Sequence, residues 1–462
     1  MVRRRRFTAP AAPLLVALLL VAGCGGHPVR QPADDQGSGE IVVASGRDVT
    51  GKGGIREQLI DAWNRQQRRK GSRYRARLVE LPGNADEQRS QLLGALQSGS
   101  ADYDVVNLDV TWVPEFAAAR LIRPLPAEAV DDDGDVINSV AETARWGGKA
   151  YAMPFNSDVG LLYYRPDLLK RAGVQQTDLS RGIDWKQLQT LSGDVSGALP
   201  EVKGWTTQLA AYEGRTVNAV EAFASAVPGF KLTDGDGHYD ASVRDLTTGI
   251  DELRSRTETA YTLPDAFHSD ETGSLNDFAD GRTEFLRQWP YAYRTLHQSF
   301  TSQQLGVAPL PGHAVLGGQN LAVTQSSQRA YMATKLMTYL TDRGSERCLL
   351  DAGFAATRVS AYEDDDVTCP VAAAPTPSAS SGSATGESAD RMPRDPAGRP
   401  AYARRILLPA LRKAVQRPRT PLYGAFTQTF SAQLGALFGE NAPSDAVLAK
   451  RLDAALRKAL PG

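Results

Sequence analysis

Cysteine is scarce in this chain. Only three occur in 462 residues, and one of them, Cys24, sits close to the N-terminus. The five histidines are scattered without metal-ligand spacing, so neither a zinc site nor any other metal or cofactor is expected. Charge of one sign is also missing: 52 Lys and Arg face 53 Asp and Glu. Without a basic surplus or stripe there is no nucleic-acid footprint. No apolar run reaches the roughly 20 residues that a membrane-crossing helix needs. No internal repeat is visible. The stretch ASGRDVTGKGG comes near the G-x-x-x-x-G-K of a phosphate-binding loop, yet Gly53 stands where a Ser or Thr would ligate magnesium. That leaves a glycine-rich turn rather than a nucleotide site. The acidic turns VDDDGDV and TDGDGH lack the glycine position and terminal Glu of a calcium loop and read as solvated surface.

What is present first fixes the compartment. MVRRRRFTAP is a basic n-region and APLLVALLLVAG an apolar h-region, so residues 1–23 read as a secretory signal peptide. The segment ends LVAGC, and small residues before a cysteine resemble the lipobox of bacterial lipoproteins, which implies a lipid anchor on Cys24. An ordinary signal peptide with a chance cysteine is the alternative. Residues 24–39, polar and rich in Gly and Pro, read as a flexible tether to the outer face of the membrane. Outside the cytoplasm ATP is scarce, which also counts against nucleotide binding. In an oxidising compartment Cys348 and Cys369 form a candidate disulfide, the alternative being two buried or reduced thiols.

About 420 residues follow the tether, enough for two lobes. EIVVAS, IREQLIDAWNRQQ, YRARLVEL, ADEQRSQLLGALQSG and YDVVNLDV alternate strand and helix, with Ile55, Leu59, Ile60 and Trp63 on one helical face. That order predicts an α/β fold with a parallel, doubly wound sheet, whose ligands sit beyond the carboxyl ends of the strands. Asp48, Asp109 and Trp112 fall there. A second lobe begins near AYAMPFNSDVGLLYYRPDLL, and later helices include DWKQLQTLS, TVNAVEAFASAV, VRDLTTGIDELRSR and RAYMATKLMTYLTDR. A Ser/Ala/Gly/Pro-rich stretch at about 371–398 reads as a disordered insertion.

Polar and aromatic clusters at predicted turns are the candidate ligand residues. NLDVTWVPEF offers Asp109 and Trp112, PFNSDVG offers Asn156 and Asp158, and QLAAYEGRTVN offers Tyr212 and Glu213. QWPYAY holds Trp289, Tyr291 and Tyr293, and VLGGQN holds Gly317, Gly318 and Gln319. This inventory suits sugars, whose hydroxyls need Asp, Glu, Asn or Arg and whose CH faces pack on Trp and Tyr rings.

The stretches IREQLIDAWN, YDVVNLDVTWVPEFAAARLIRPL, GGKAYAMPFNSDVGLLYYRPDLL, AYEGRTVNAVEAF, FLRQWPYAY, LGVAPLPG, VLGG and RPRTPLYGAFTQTF together resemble family 1 extracellular solute-binding proteins. Within that family they are most similar to binders of trehalose, maltose and related disaccharides. The resemblance implies a two-lobed periplasmic-binding-protein-like fold of type II, maltose-binding-protein-like, with the ligand cleft between lobes. It implies an N-terminal lobe of residues 40–155 plus 314–355 and a C-terminal lobe of 156–313 plus 356–462. It also implies a carbohydrate ligand, ABC transporter permease subunits as partners, a monomer, and no catalysis. By family motif, Asp48, Asp109, Asn156 and Glu213 would bond sugar hydroxyls, Trp289 would stack, the Gly318 backbone would approach the ligand and Arg417 would reach in. Trp112, Tyr212, Tyr291 and Gln319 complete the expected set. Gln319 and Asn320 stand where the family commonly has an aromatic, and the 371–398 insertion is also a departure. Two other readings are an extracellular glycoside hydrolase using Asp109 and Glu213, and a sensor or scaffold lipoprotein that kept the fold and lost transport.

Overall fold

The apolar run at the start of the body forms strand β1 (Ser38–Gly46), whose Ile41 to Ser45 are all buried. In the computed structural model the described residues are 38–47, 54–130, 134–371 and 390–460. Asp48, Cys24, residues 24–37 of the expected tether and most of the expected insertion lie outside them, while Ser38 and Gly39, expected in the tether, begin β1.

Strands β2 (Arg73–Leu81) and β3 (Val105–Asp109) flank β1 in parallel. Helix α1 (Ile55–Arg69) is amphipathic and packs its Leu59, Ile60 and Trp63 into one cluster with Ile41, Val43, Tyr74 and Ala76. Asn64 clasps the β2 backbone at Ala76 with two hydrogen bonds, of 2.8 and 2.7 Å. Helix α2 (Ala85–Gln97) starts at a reciprocal cap between Asn84 and Glu87.

Three strands are as far as the parallel sheet goes. The sheet is completed by β4 (Met153–Val159) and by a strand from late in the chain, Leu316–Val323, in the order β2-β1-β3-(316–323)-β4. The late strand runs antiparallel to both β3 and β4, so the expected all-parallel sheet is a mixed one. The reason lies in VLGGQN, which the sequence suggested as a turn but which opens this strand. Gly318 takes a φ of 109°, and the pairing shifts register between Gln319 and Asn320.

After β4 the chain crosses through Gly160 into a second sheet. Its strands are β5 (Leu161–Tyr164), β6 (Lys203–Thr206), β7 (Thr283–Gln288) and β8 (Gly306–Pro309), in the order β8-β5-β7-β6. The change of sheet therefore falls at Gly160 and not at the expected 155/156 boundary, because β4 pairs wholly with the late strand, hereafter β9. From β8 the chain returns through 310–315 into β9. Helix α3 (Glu213–Ala226) follows β6, and α4 (Val243–Arg256) packs beside it. Helices α5 (Glu271–Ala279), α6 (Tyr423–Leu434) and α7 (Asp445–Ala459) complete the elements that matter for the site. One apolar cluster runs from Leu81, Leu92 and Phe116 through Tyr423 and Phe426 to Phe223, Leu246 and Leu452. Burying this continuous surface is the main favourable term for the fold. Cys348 and Cys369 are joined by a disulfide, with Cα atoms 4.6 Å apart.

Candidate functional site

Asp109 is the last residue of β3, where a carbonyl-end ligand position is expected. Glu213 is the first residue of α3, following the second sheet's β6. Between them lies Arg417, from the segment that precedes α6. Its Nη1 donates to Glu213 at 2.6 Å and its Nη2 to both oxygens of Asp109 at 2.9 and 3.2 Å. The Arg417 side chain is only 2% exposed, so this is a desolvated pair whose partners depend on one another. Glu213 also accepts hydrogen bonds from the Tyr423 hydroxyl and, at 2.7 Å, from Thr427. Asp109 accepts from the backbone N–H and hydroxyl of Thr111. Burial pushes the Glu213 carboxyl up, with Asp109 adding to the effect, and Arg417, Thr427 and Tyr423 oppose it. Burial works against the charge of Arg417, but Asp109, Tyr423 and Glu213 outweigh it and hold the guanidinium above its ordinary range.

These three residues form one wall of a cavity of about 110 Å³ between the two sheets. Asp158, Glu271, Trp289, Gly317, Gly318 and Gln319 line it further, with Ala85, Gly214 and Val217. Trp289 has the Arg287 guanidinium 3.9 Å from its ring centroid and directs its indole N–H to Glu271 at 3.4 Å. A Cβ at Gly317 would press on the Trp289 ring at 3.0 Å and on Asp158 Cβ at 3.1 Å, so glycine lets both approach closely. A Cβ at Gly318 would meet the Asn156 carbonyl oxygen at 2.4 Å, so both its φ and its surroundings demand glycine. The volume is below the roughly 300–1,000 Å³ of ordinary ligand clefts.

A second polar group lies behind this wall. Arg56, at the start of α1, donates to Ser45 (2.9 Å), the Gly46 carbonyl (3.0 Å), Asn156 (3.2 Å) and Gln319 (3.0 Å). Asn107 also donates to Ser45 and Gln319. This network fixes the Gln319 side chain from behind.

The cavity thus collects Asp109, Glu213, Trp289, Gly318, Gln319 and Arg417 from the expected residues, and Asp158 from the PFNSDVG stretch. Four others are placed elsewhere. Trp112 is 4% exposed and packs on Phe116 in the core, because its indole falls on the apolar side of the short helix Val113–Ala118. Asn156 is buried against Arg56. Tyr212 lies behind Glu271 and donates to it at 2.8 Å. Tyr291 is off the cavity wall, its hydroxyl pushed far up by burial and then by Glu271 and Asp158. Glu271 has no counterpart in the sequence reading. In FHSDETGS the acids read as a helix start, which Asp270 is, capping α5 at Gly273. The Asp109–Glu213 pair is not a hydrolase pair, since Arg417 occupies the space between the carboxylates and neither faces a substrate alone.

Residues 71–375 match the family described as bacterial extracellular solute-binding proteins, and the chain belongs to that family. It is 28% identical over 341 residues to a probable ABC transporter-binding protein of Deinococcus radiodurans, spanning 70% of this chain and 76% of that one. The structure of maltose-bound T. maritima MalE3 superposes with a TM-score of 0.71 at 22% identity, covering 90% of this chain and 99% of that one. A solute-binding protein of Thermotoga lettingae, bound with α-D-tagatose, gives 0.71 at 19% identity, covering 91% and 100%. The fold is therefore the two-lobed binding-protein fold, and the chain belongs with binding proteins rather than enzymes.

Asp158 accepts no hydrogen bond among the described residues, and burial lifts its carboxyl to about 7 against the pull of Arg56, with Asp109 raising it further and Arg287 and Arg417 opposing. A carboxyl raised in the folded state favours folding fully below its unfolded value, near 4, and loses that contribution as pH rises to about 7. Thermal unfolding of the ligand-free protein between pH 5 and 8 should therefore slope downward less in Asp158→Asn than in the wild type; equal slopes would remove Asp158 as the titrating group. Arg417→Met, which strands Asp109 and Glu213 together, should cost about 3–5 kcal/mol in denaturant unfolding. A loss under about 1 kcal/mol would mean that water already compensates those carboxylates.

Proposed function

We propose that this chain is a lipid-anchored extracytoplasmic receptor that captures a carbohydrate and delivers it to an ABC transporter permease. The ligand we favour is a disaccharide of the trehalose or maltose kind, or a related oligosaccharide, bound by a monomer. The observation that carries this reading is the cavity wall itself. Carboxylates from two strands of the first sheet and from the starts of α3 and α5, an arginine held between Asp109 and Glu213, the Trp289 ring and the Gly317–Gly318 backbone edge converge on one space. Hydroxyls that both donate and accept suit the carboxylates and the guanidinium, while an apolar sugar face suits the indole. Arg287 takes one face of Trp289, leaving the other for the sugar. The named ligands of the structural neighbours and the ABC transporter description of the Deinococcus relative support the same reading.

A ligand that touches both lobes only when they are closed stabilises the closed form by its difference in affinity for the two states. Glu213 and Trp289 belong to the second sheet's lobe and Asp109 to the first, so a sugar between them would have that property.

Thermal unfolding against glucose, trehalose, maltose, cellobiose, xylobiose and N-acetylglucosamine dimers tests the proposal. A ligand at a hundred times its dissociation constant adds about 2.7 kcal/mol. We expect one clear hit, weakened at least tenfold by Trp289→Ala; a panel with no hit would count against a sugar. The anchor proposed on Cys24 predicts that Cys24→Ala moves the expressed protein out of the membrane fraction. Retention there would show that something other than Cys24 holds it.

A further inference from the structure

The lining of the cavity is unbalanced in charge. Among the described residues it offers four carboxylates, on Asp109, Asp158, Glu213 and Glu271, and a single guanidinium, on Arg417. Arg417 is already committed to Asp109 and Glu213. Glu271 receives only neutral donors, the Tyr212 hydroxyl and the Trp289 indole N–H. Asp158 receives none among the described residues. The nearby cations Arg56, Arg287 and Arg417 pull the Asp158 carboxyl down, but by less than burial lifts it. Arg287 is held by Glu221 at 2.7 Å, and Arg56 bonds Ser45, Gly46, Asn156 and Gln319 behind the wall.

We propose that the solute carries a basic nitrogen, as an aminated sugar does, and that Asp158 is the residue that selects it. The inference rests on the carbohydrate reading above and deepens it. The position of Asp158 on β4 supports the assignment. It pairs with Gly317 of β9, and its Cβ and the Trp289 ring both lie within about 3.2 Å of where a Gly317 side chain would begin. A group seated over the glycine edge would therefore meet the carboxylate on one side and the indole on the other. An ammonium fits both, the first by a charge-assisted hydrogen bond and the second by attraction to the ring. A neutral hydroxyl would satisfy the hydrogen bond but leave an uncompensated charge in a closed cleft, which desolvation disfavours. Burial raises the Asp158 carboxyl to about 7 even against the pull of Arg56, Arg287 and Arg417, so this position is short of positive charge.

The test compares sugars that differ only in the amine: trehalose with its 2-amino-2-deoxy and 6-amino-6-deoxy derivatives, and cellobiose with the glucosamine β-1,4 dimer. Calorimetric titration at pH 7.5 of the soluble protein and of Asp158→Asn and Asp158→Ser would give the affinities, with thermal unfolding checking that each variant is folded. We expect at least one aminated sugar to bind tenfold or more tightly than its neutral partner, and the preference to fall to within about twofold in both variants. Neutral members binding as tightly as aminated ones would overturn the inference while leaving the carbohydrate reading intact. A preference that survives in both variants would overturn the role of Asp158. Failure of every sugar in either form would remove the carbohydrate reading and this inference with it.

Discussion

A single guanidinium holds the functional face of this protein together. Arg417 is contributed by neither sheet, yet it bonds the end of β3 through Asp109 and the start of α3 through Glu213. In water such a pair would contribute little, but the Arg417 side chain is only 2% exposed and its charge depends on its carboxylate partners. Tyr423 and Thr427, on the helix that follows Arg417, bond Glu213 from the other side. The position of α6 is thereby tied to the charge of Glu213. The same residues that bring the lobes together form the cavity wall, so lobe geometry and site geometry are one constraint.

Much of this was legible in the sequence because periodicity reports burial. The alternation of EIVVAS, YRARLVEL and YDVVNLDV identified β1, β2 and β3, and the apolar face of IREQLIDAWN identified α1. Sequence could not show that a strand some 210 residues after β3 would enter antiparallel beside it, since pairing between distant segments leaves no local period. It also read VLGGQN as a turn, because glycines are the residues of turns. Here they serve an extended strand that must pass close to the Asn156 backbone and the Trp289 ring.

The site was legible to the same extent. Asp109, Glu213, Trp289, Gly318, Gln319 and Arg417 were named from their motifs and lie on one cavity. Trp112 was misread because an aromatic after a strand end looks identical whether it faces a ligand or a core. Only the packing against Phe116 decides between them. Tyr212 and Asn156 are displaced by one layer, where Tyr212 bonds the cavity-lining Glu271 and Asn156 bonds Arg56. Glu271 was invisible for a different reason. An acid in the first turn of a helix has a sufficient local explanation in the helix dipole, so nothing in the sequence asks for a second one.

The arrangement of glycine, indole and carboxylate on the β4–β9 edge explains why the departures from the family pattern should be taken together. Gln319 has no aromatic face to offer a ligand, and its side chain is held by Arg56 and Asn107. Among the described residues the cavity lining has one ring, Trp289, and an excess of carboxylates. A surface built that way gains less from flat apolar contact and more from donors, above all from charged ones. Asp158 adds to that excess on a strand where Asn156, two residues earlier and on the same face, is neutral and already bonded to Arg56. The polarity of the cavity is therefore set by which of two neighbouring positions on one strand carries the charge, and in this chain it is Asp158, which lines the cavity.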